Sequence, residues 1–319
     1  MKRILVTGAS GLLGISLALQ ASENDHVVGV TYSQSLQGVP FEVMVADLTD
    51  EMEIEKTIEQ ANPDLIINCA ALANLDACEK SPLTAQQLNT LLPTRMAVWC
   101  HEAHLPFVHI STDAVFDGVK GNYTEADNPN PLSIYAHTKL EAERAVLEKY
   151  NEALIVRVNF YGFSVSSTRS LAEFFLYNLA AGLSINGFTD VLFCPLLVQD
   201  LVEILFKMVQ KNLTGIYHVV SPQPLSKYEF GVSIARMFDL NENLIIPISV
   251  EQSGLQAKRS QNLTLCIDKL IQDLGESPPE IQAGLNKFKQ LFDEGFPDKL
   301  RAFGGVGHLF NKPGDQNGY

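Results

Sequence analysis

Short apolar runs alternate with longer stretches of helical period through the first half of the chain. The runs fall at Arg3–Thr7, His26–Thr31, Phe41–Val45, Leu65–Asn68, Pro106–Ser111 and Leu154–Val158. They are rich in Val, Ile and Leu, the composition of strands buried on both faces. Helix-like segments lie between them, at about Gly11–Ala21, Met52–Ala61, Ser81–His101 with a break near Pro93, and Ser133–Lys149. Alternation of this kind predicts an α/β fold with right-handed crossovers and a doubly wound, mainly parallel sheet. Ligands of such sheets bind outside the carboxyl ends of the strands, so the residues just after each strand carry the chemistry.

Beyond Val158 the rhythm breaks. Asn159–Thr168 reads as a loop, followed by helices at Leu171–Ala181 and Val198–Asn212. A strand at Gly215–Val220 and helices at Lys227–Phe238 and Pro279–Glu294 complete the pattern. The expected division is a dinucleotide-binding domain over 1–160, rejoined by a returning segment at about 188–212. A smaller C-terminal substrate-binding α/β lobe takes 161–187 and 213–300. The tail, 303–319, holds five glycines and a proline and is expected to be flexible.

Composition narrows the function classes. The chain has 319 residues, 46% hydrophobic and 19% charged, enough apolar material for a large core. A net charge of −14 and a pI near 4.9 argue against a nucleic-acid polymer or an anionic membrane surface as partner. The longest apolar segment, Val191–Val209, is interrupted by Asp200, Glu203 and Lys207 and does not read as a membrane span. No leader-like apolar segment precedes the first strand, so the expected location is the cytoplasm. Five widely spaced cysteines, with no C-x-x-C pair, indicate neither a disulfide framework nor a zinc site, and no metal is expected.

The chemistry begins at the first strand. Gly8, Gly11 and Gly14, with Ser10, Leu12 and Leu13 among them, stand between a strand and a helix. That is the context a dinucleotide loop needs. Glycines let the backbone approach a pyrophosphate, and the helix N-terminus receives its charge, as in a Rossmann-type sheet. Further on, Tyr135 and Lys139 are four residues apart in a predicted helix and so share one face. An ammonium held there favours phenolate over phenol and lowers a tyrosine pKa from its ordinary value of about 10. Thr112, ending a strand, can share the same oxygen. Together these residues read as a nicotinamide-dependent oxidoreductase with tyrosine as proton donor.

With these residues in place the chain resembles the extended short-chain dehydrogenase/reductase family, and within it the dTDP-4-dehydrorhamnose reductases. The likeness rests on Gly8-Ala-Ser-Gly11-Leu-Leu-Gly14, Ala46-Asp47-Leu48, Asn68-Cys-Ala-Ala71 and Ser111-Thr-Asp-Ala-Val-Phe-Asp-Gly118. It continues through Tyr123-Thr-Glu125, Pro131-Leu-Ser-Ile-Tyr135, Lys139, Glu143 and Arg157-Val-Asn-Phe-Tyr-Gly162. The resemblance implies that Asp47 and Leu48 flank the adenine, and that Ala70 and Ala71 line the path of the ribose and phosphate. It implies Thr112 orienting a substrate carbonyl, Tyr135 protonating it, and Lys139 holding ribose hydroxyls. Arg259 is implied near the nucleotide diphosphate, although Ser260 stands where the family usually has Pro. Asn74, Val115 and Arg169 are substrate-pocket candidates by position.

In related 4,6-dehydratases an Asp-Glu pair follows the threonine, but here Thr112-Asp113 is followed by Ala114. Without the second acid/base residue, the resemblance implies reduction of a nucleotide-linked 4-keto-6-deoxy sugar and not elimination. The second strand ends in Thr31-Tyr32-Ser33, without the carboxylate that holds an adenosine 2′-hydroxyl. That favours NADPH slightly and leaves NADH open. The expected partner is a nucleotide sugar, and a homodimer is left open. Two other readings stay open: an epimerase that recycles its nicotinamide, and a non-catalytic relative such as the regulatory subunit of methionine adenosyltransferase.

Overall fold

The computed structural model describes residues 1–253 and 260–304. Its first half runs β1 (Arg3–Thr7), α1 (Leu12–Ala21), β2 (His26–Thr31), β3 (Glu42–Val45), α2 (Glu51–Ala61) and β4 (Leu65–Asn68). Next come α3 (Leu75–Lys80), α4 (Pro82–Gln86), α5 (Leu92–Ala103), β5 (Phe107–Thr112), α6 (Ile134–Lys149) and β6 (Leu154–Val158). The second half continues with β7 (Phe160–Tyr161), α7 (Leu171–Ala180), β8 (Ile185–Phe188), β9 (Leu192–Phe193), β10 (Leu196–Leu197) and α8 (Val198–Gln210). It ends with β11 (Gly215–Val219), β12 (Leu225–Ser226), α9 (Lys227–Met237), β13 (Ile245–Ile248), α10 (Asp268–Leu274), α11 (Ile281–Asp293) and α12 (Phe296–Phe303).

Among the described residues the main sheet has seven parallel strands in the order β11-β6-β5-β4-β1-β2-β3. Side chains alternate across it with period two. Ile4, Val6, Ile67, Val108 and Ile110 pack on α1, α8 and α10. Leu5, Val28, Ile66, Phe107 and Ile155 face the other way, onto α2, α5 and the end of α6. Both faces are covered, which is why the strands read as continuous apolar runs. The doubly wound sheet expected from the alternation is the one observed.

The sheet reaches further along the chain than expected. β11 pairs with β6 at the sheet edge, and Leu270 and Leu274 of α10 join the core on that side. The expectation that 213–300 belongs wholly to the second lobe is corrected on this point. The cause is the parallel register of Gly215–Val219 against Leu154–Val158, which satisfies the edge of β6.

The expected break near Pro93 is a turn of π-helix at Gln87–Leu91. Pro93 has no N–H to donate and its ring crowds the preceding turn, so the helix widens just before it. The widened turn directs Asn89 and Thr90 at α6: Asn89 Nδ2 donates to Thr138 Oγ1 at 3.0 Å and Thr90 Oγ1 to the Thr138 carbonyl at 2.8 Å. Thr138 in turn donates to the Tyr135 carbonyl. The second lobe gathers α7, α9, α11 and α12 around an aromatic core that includes Tyr161, Phe163, Phe230 and Phe288. α12 was not expected; its last carbonyl, on Phe303, accepts a hydrogen bond from the Gln37 backbone amide in the loop after β2. The rest of the tail, 305–319, lies outside the described residues. Among the described residues no helix is long and apolar enough to cross a membrane, and no group of metal-ligating side chains occurs. All five cysteines are free.

Candidate active site

The glycine loop leaves β1 through Gly8, whose φ of +64° only glycine adopts freely. A Cβ on Gly8 would lie 2.9 Å from the Ala70 backbone, and one on Gly14 would lie 2.1 Å from the Gly8 carbonyl oxygen. Two glycines are therefore demanded by packing alone. Gly11 is different: it is the N-cap of α1, gives no side-chain cap, and a Cβ there meets only the Gly8 oxygen, at 3.1 Å. The first amides of α1, on Leu12, Leu13 and Gly14, have no intrahelical acceptor and form an anion-binding helix start. Leu12 and Leu13 could serve a ligand only through those amides, because their side chains are buried in the core. Ser10 is partly buried in the same turn. A glycine cradle ahead of an uncapped helix start fits a dinucleotide pyrophosphate.

At the next strands, Thr31, Tyr32 and Ser33 end β2 without a carboxylate, and Tyr32 is 63% exposed. Asp47 follows β3 with its carboxylate accepting from Thr49 N and Thr49 Oγ1 at 3.0 and 2.7 Å. Those bonds, with one to Tyr32, hold it below the usual carboxylate value. Asp47 is therefore a turn residue as well as a ligand candidate. Leu48 is buried beside it. Ala70 and Ala71 follow β4, Ala71 exposed and Ala70 partly buried, and leave room along that edge.

Thr112 ends β5, and Tyr135 enters the first turn of α6, which Ser133 caps by accepting from Ala136 N at 3.3 Å. The Thr112 hydroxyl, which donates to Asp113 Oδ1, lies near enough to the Tyr135 phenol to act on its ionisation. Burial pushes the phenol well above its ordinary value; the Thr112 hydroxyl opposes this, and Asp113 and Cys78 add to it. Lys139 takes no part. Its Nζ donates to the Ile110 carbonyl at 2.6 Å and lies 3.2 Å from His109 Nε2. The ammonium expected to lower the tyrosine is thus turned onto the sheet. The i,i+4 spacing gives a shared face, but four flexible methylenes let the amine choose a buried carbonyl instead.

The substrate candidates fare unequally. Val115 is fully buried among Phe116, Tyr123, Leu140 and Ile267, so it is core and not a pocket wall. Asn74 spends its side chain capping α3, accepting from Ala77 N at 2.8 Å. Arg169 is exposed ahead of α7, with its backbone amide donating to Glu173. Arg259 lies outside the described residues, while Ser260 donates to the Phe116 carbonyl just past β5. Two residues missed from sequence belong here. Buried Asp113 accepts from Asn159 Nδ2 at 2.6 Å and from Thr112 Oγ1 at 3.1 Å, and Lys227 of α9 brings positive charge toward it. Asp113 lay inside the recognised motif and its burial was the signal lacking; Lys227 carries no motif at all.

A family model described as the RmlD substrate-binding domain matches residues 1–293. The chain is 30% identical over 293 residues to the probable low-salt glycan biosynthesis reductase Agl14 of Haloferax volcanii, across 91% of this chain and 98% of that one. It is also 30% identical over 279 residues to the methionine adenosyltransferase 2 subunit beta of Danio rerio, with 84% of each covered. Among solved structures, the dTDP-4-dehydrorhamnose reductase of Bacillus anthracis in complex with NADP aligns with a TM-score of 0.79 at 27% identity, across 92% of this chain and 99% of that one. The match takes in the glycine cradle, the Thr112–Tyr135 pair and most of the second lobe, and the chain belongs to the RmlD substrate-binding-domain family, built on the extended short-chain dehydrogenase/reductase fold.

Proposed function

We propose that this chain reduces the 4-keto group of a nucleotide-linked 6-deoxy sugar with NADPH or NADH. The observation that carries the reading is the buried Tyr135 phenol beside Thr112, on the same sheet edge as the glycine cradle. A nicotinamide bound across that edge supplies the hydride. Gly8, Gly11, Gly14 and the first amides of α1 hold its pyrophosphate, with Asp47 and Leu48 at the adenine and Ala70 and Ala71 along the ribose. Tyr135 gives its proton to the oxygen that becomes the alcohol, and Thr112 holds that oxygen in line. Because burial keeps the phenol protonated, Tyr135 is stocked as an acid, which suits the reductive direction. Lys139, next along α6, is assigned to the ribose hydroxyls, and it steadies Tyr135 after proton transfer only when its amine turns back from the Ile110 carbonyl. Asn74 and Arg169 are assigned to the sugar, and Arg259 to the nucleotide diphosphate. Ala114 leaves no second acid or base for elimination. The missing carboxylate after β2 favours NADPH, the phosphorylated coenzyme carried by the Bacillus anthracis relative.

The test is loss of reduced-nicotinamide absorbance against a panel of nucleotide 4-keto-6-deoxy sugars. Turnover is expected, and Tyr135→Phe should lower it by about 10²–10⁴-fold while cofactor binding stays near wild type. Equal activity in the two proteins overturns the tyrosine's role. The likeness to a methionine adenosyltransferase subunit favours a second reading, a dinucleotide-binding regulator of a partner enzyme. That reading gains if cofactor binds while no keto-sugar is consumed.

A further inference from the structure

A file of four buried side chains crosses the sheet from the glycine loop to Lys139. Thr7 closes β1, Asn68 closes β4, His109 lies in β5 and Lys139 in α6, none of them more than 2% exposed. The Ala70 amide donates to Thr7 Oγ1 at 3.2 Å, and Thr7 Oγ1 donates to Asn68 Oδ1 at 2.5 Å. Asn68 Nδ2 lies 3.0 Å from His109 Nδ1, and His109 Nε2 lies 3.2 Å from Lys139 Nζ.

The direction of these bonds follows from counting hydrogens. The Thr7 hydroxyl has one hydrogen, and the acceptor beside it is Asn68 Oδ1. That fixes the carboxamide, which turns its Nδ2 to His109 and donates to Nδ1. A neutral imidazole that accepts at Nδ1 carries its hydrogen on Nε2. Neutral is the state of this ring, since burial, the larger cause, holds it well below its ordinary value whether or not Lys139 is charged. The Nε2–H therefore points at Lys139 Nζ. An ammonium has no lone pair to receive it, whereas a free amine does and still donates to the Ile110 carbonyl.

We propose that His109 is a positioning residue whose Nε2–H, oriented from Thr7 through Asn68, loosens the hold of Lys139 on its proton and so couples the glycine loop to the charge next to Tyr135. The inference deepens the reading of Lys139 as the partner of Tyr135 and takes its functional meaning from that reading. The file is not a proton wire, because a carboxamide in its middle has no proton to pass on. The groups facing Lys139 are His109 from β5, Cys69 after β4 and Glu143 one turn along α6, and the Glu143 carboxylate is itself held by Arg157 of β6. Burial pulls the lysine down to about 8, with Glu143 and Cys69 opposing. A group titrating there is charged or uncharged within the working range, so one donor facing it changes the balance.

The experiment is an NMR titration of the full chain carrying 13Cε-labelled lysine, with the Lys139 signal assigned by its loss in Lys139→Arg. His109→Leu, which removes the donor, should raise the Lys139 midpoint by about one unit, a tenfold gain in proton affinity. His109→Gln, which keeps an N–H, should raise it less. Thr7→Val does not touch the lysine, yet it frees Asn68 and the ring to reverse and should also raise the midpoint. A midpoint that stays or falls in His109→Leu, or one unmoved in Thr7→Val, overturns the proposal. Should His109→Leu fail to fold, Thr7→Val and His109→Gln carry the test. The titration needs neither substrate nor turnover. Failure of the reductase reading therefore leaves it legible, and an active reductase whose Lys139 ignores His109 sinks this inference alone.

Discussion

Asp113 is the acid whose ionisation is most resisted at the site. Burial pushes its carboxyl up to about 6 from an ordinary 3.8, against the bonds from Asn159 and Thr112, the charge of Lys227 and the Ala114 amide. The folded value lies above the unfolded one, so between about pH 4 and pH 6 the folded chain binds more protons than the unfolded chain. Stability from this group is full at low pH and is lost as pH rises through 6. Asp113→Asn is neutral throughout and should gain about 2–3 kcal/mol over wild type on going from pH 4 to pH 7, measured by urea unfolding. An unchanged difference between those pH values would remove Asp113 from the account. The glycines give a second residue-scale contrast. Gly14→Ala drives a Cβ into backbone at 2.1 Å, which has no room to yield, and should cost about 1–3 kcal/mol and several degrees of melting temperature. Gly11→Val, with only the Gly8 oxygen at 3.1 Å, should melt near wild type but bind dinucleotide weakly. A Gly11→Val chain with wild-type cofactor affinity would show that the loop does not hold a pyrophosphate.

At the scale of elements, α6 matters most, since it carries both Tyr135 and Lys139. Its entry is set by Ser133, and Ser133→Ala should cost about 1 kcal/mol of stability. Tyr135 sits in that first turn, so a small shift of the entry should lower turnover by up to about 10²-fold with little change in cofactor affinity. Steady-state kinetics beside a cofactor titration would separate the two. The main strands and the Ser133 entry were legible because each is dictated locally, by an apolar run or by a serine ahead of a helical stretch. α3 was not: Leu75–Lys80 is six residues, too short to show a helical period. The π turn at Gln87–Leu91 was seen only as a disturbance near Pro93, because the bonds of Asn89 and Thr90 to Thr138 cross 48 or 49 residues of sequence. At the site, spacing gave the right face for Tyr135 and Lys139 but not where the amine ends, which His109 and the Ile110 carbonyl decide. Val115 failed for a related reason, since an apolar residue after a strand reads alike whether it lines a cleft or fills a core.

For the whole molecule, the second half of the sheet is joined around one buried ion pair. Arg157 of β6 donates to Glu143 of α6 from Nη2 at 2.7 Å and from Nε at 3.0 Å, both residues no more than 2% exposed. Ser111 of β5 donates to the same carboxylate, His218 of β11 lies 3.3 Å from the guanidinium, and Phe116 lies beneath it with its ring centre at 5.0 Å. Arg157→Met strands a buried carboxylate and should cost about 3–5 kcal/mol. The double variant Arg157→Met/Glu143→Leu should recover much of that loss in a urea melt; a double variant no better than the single would mean the arginine acts by its shape alone. The hydrogen bond from Gln37 to Phe303 has its own reach. α12 starts beyond residue 293, where the family match ends, yet it pins the loop leaving β2, the stretch that the proposed function sets beside the adenosine ribose. On that proposal, discrimination between a 2′-hydroxyl and a 2′-phosphate is tethered to a clasp from outside the shared family core, and trimming the chain back to residue 294 should blunt coenzyme preference before it harms the sheet.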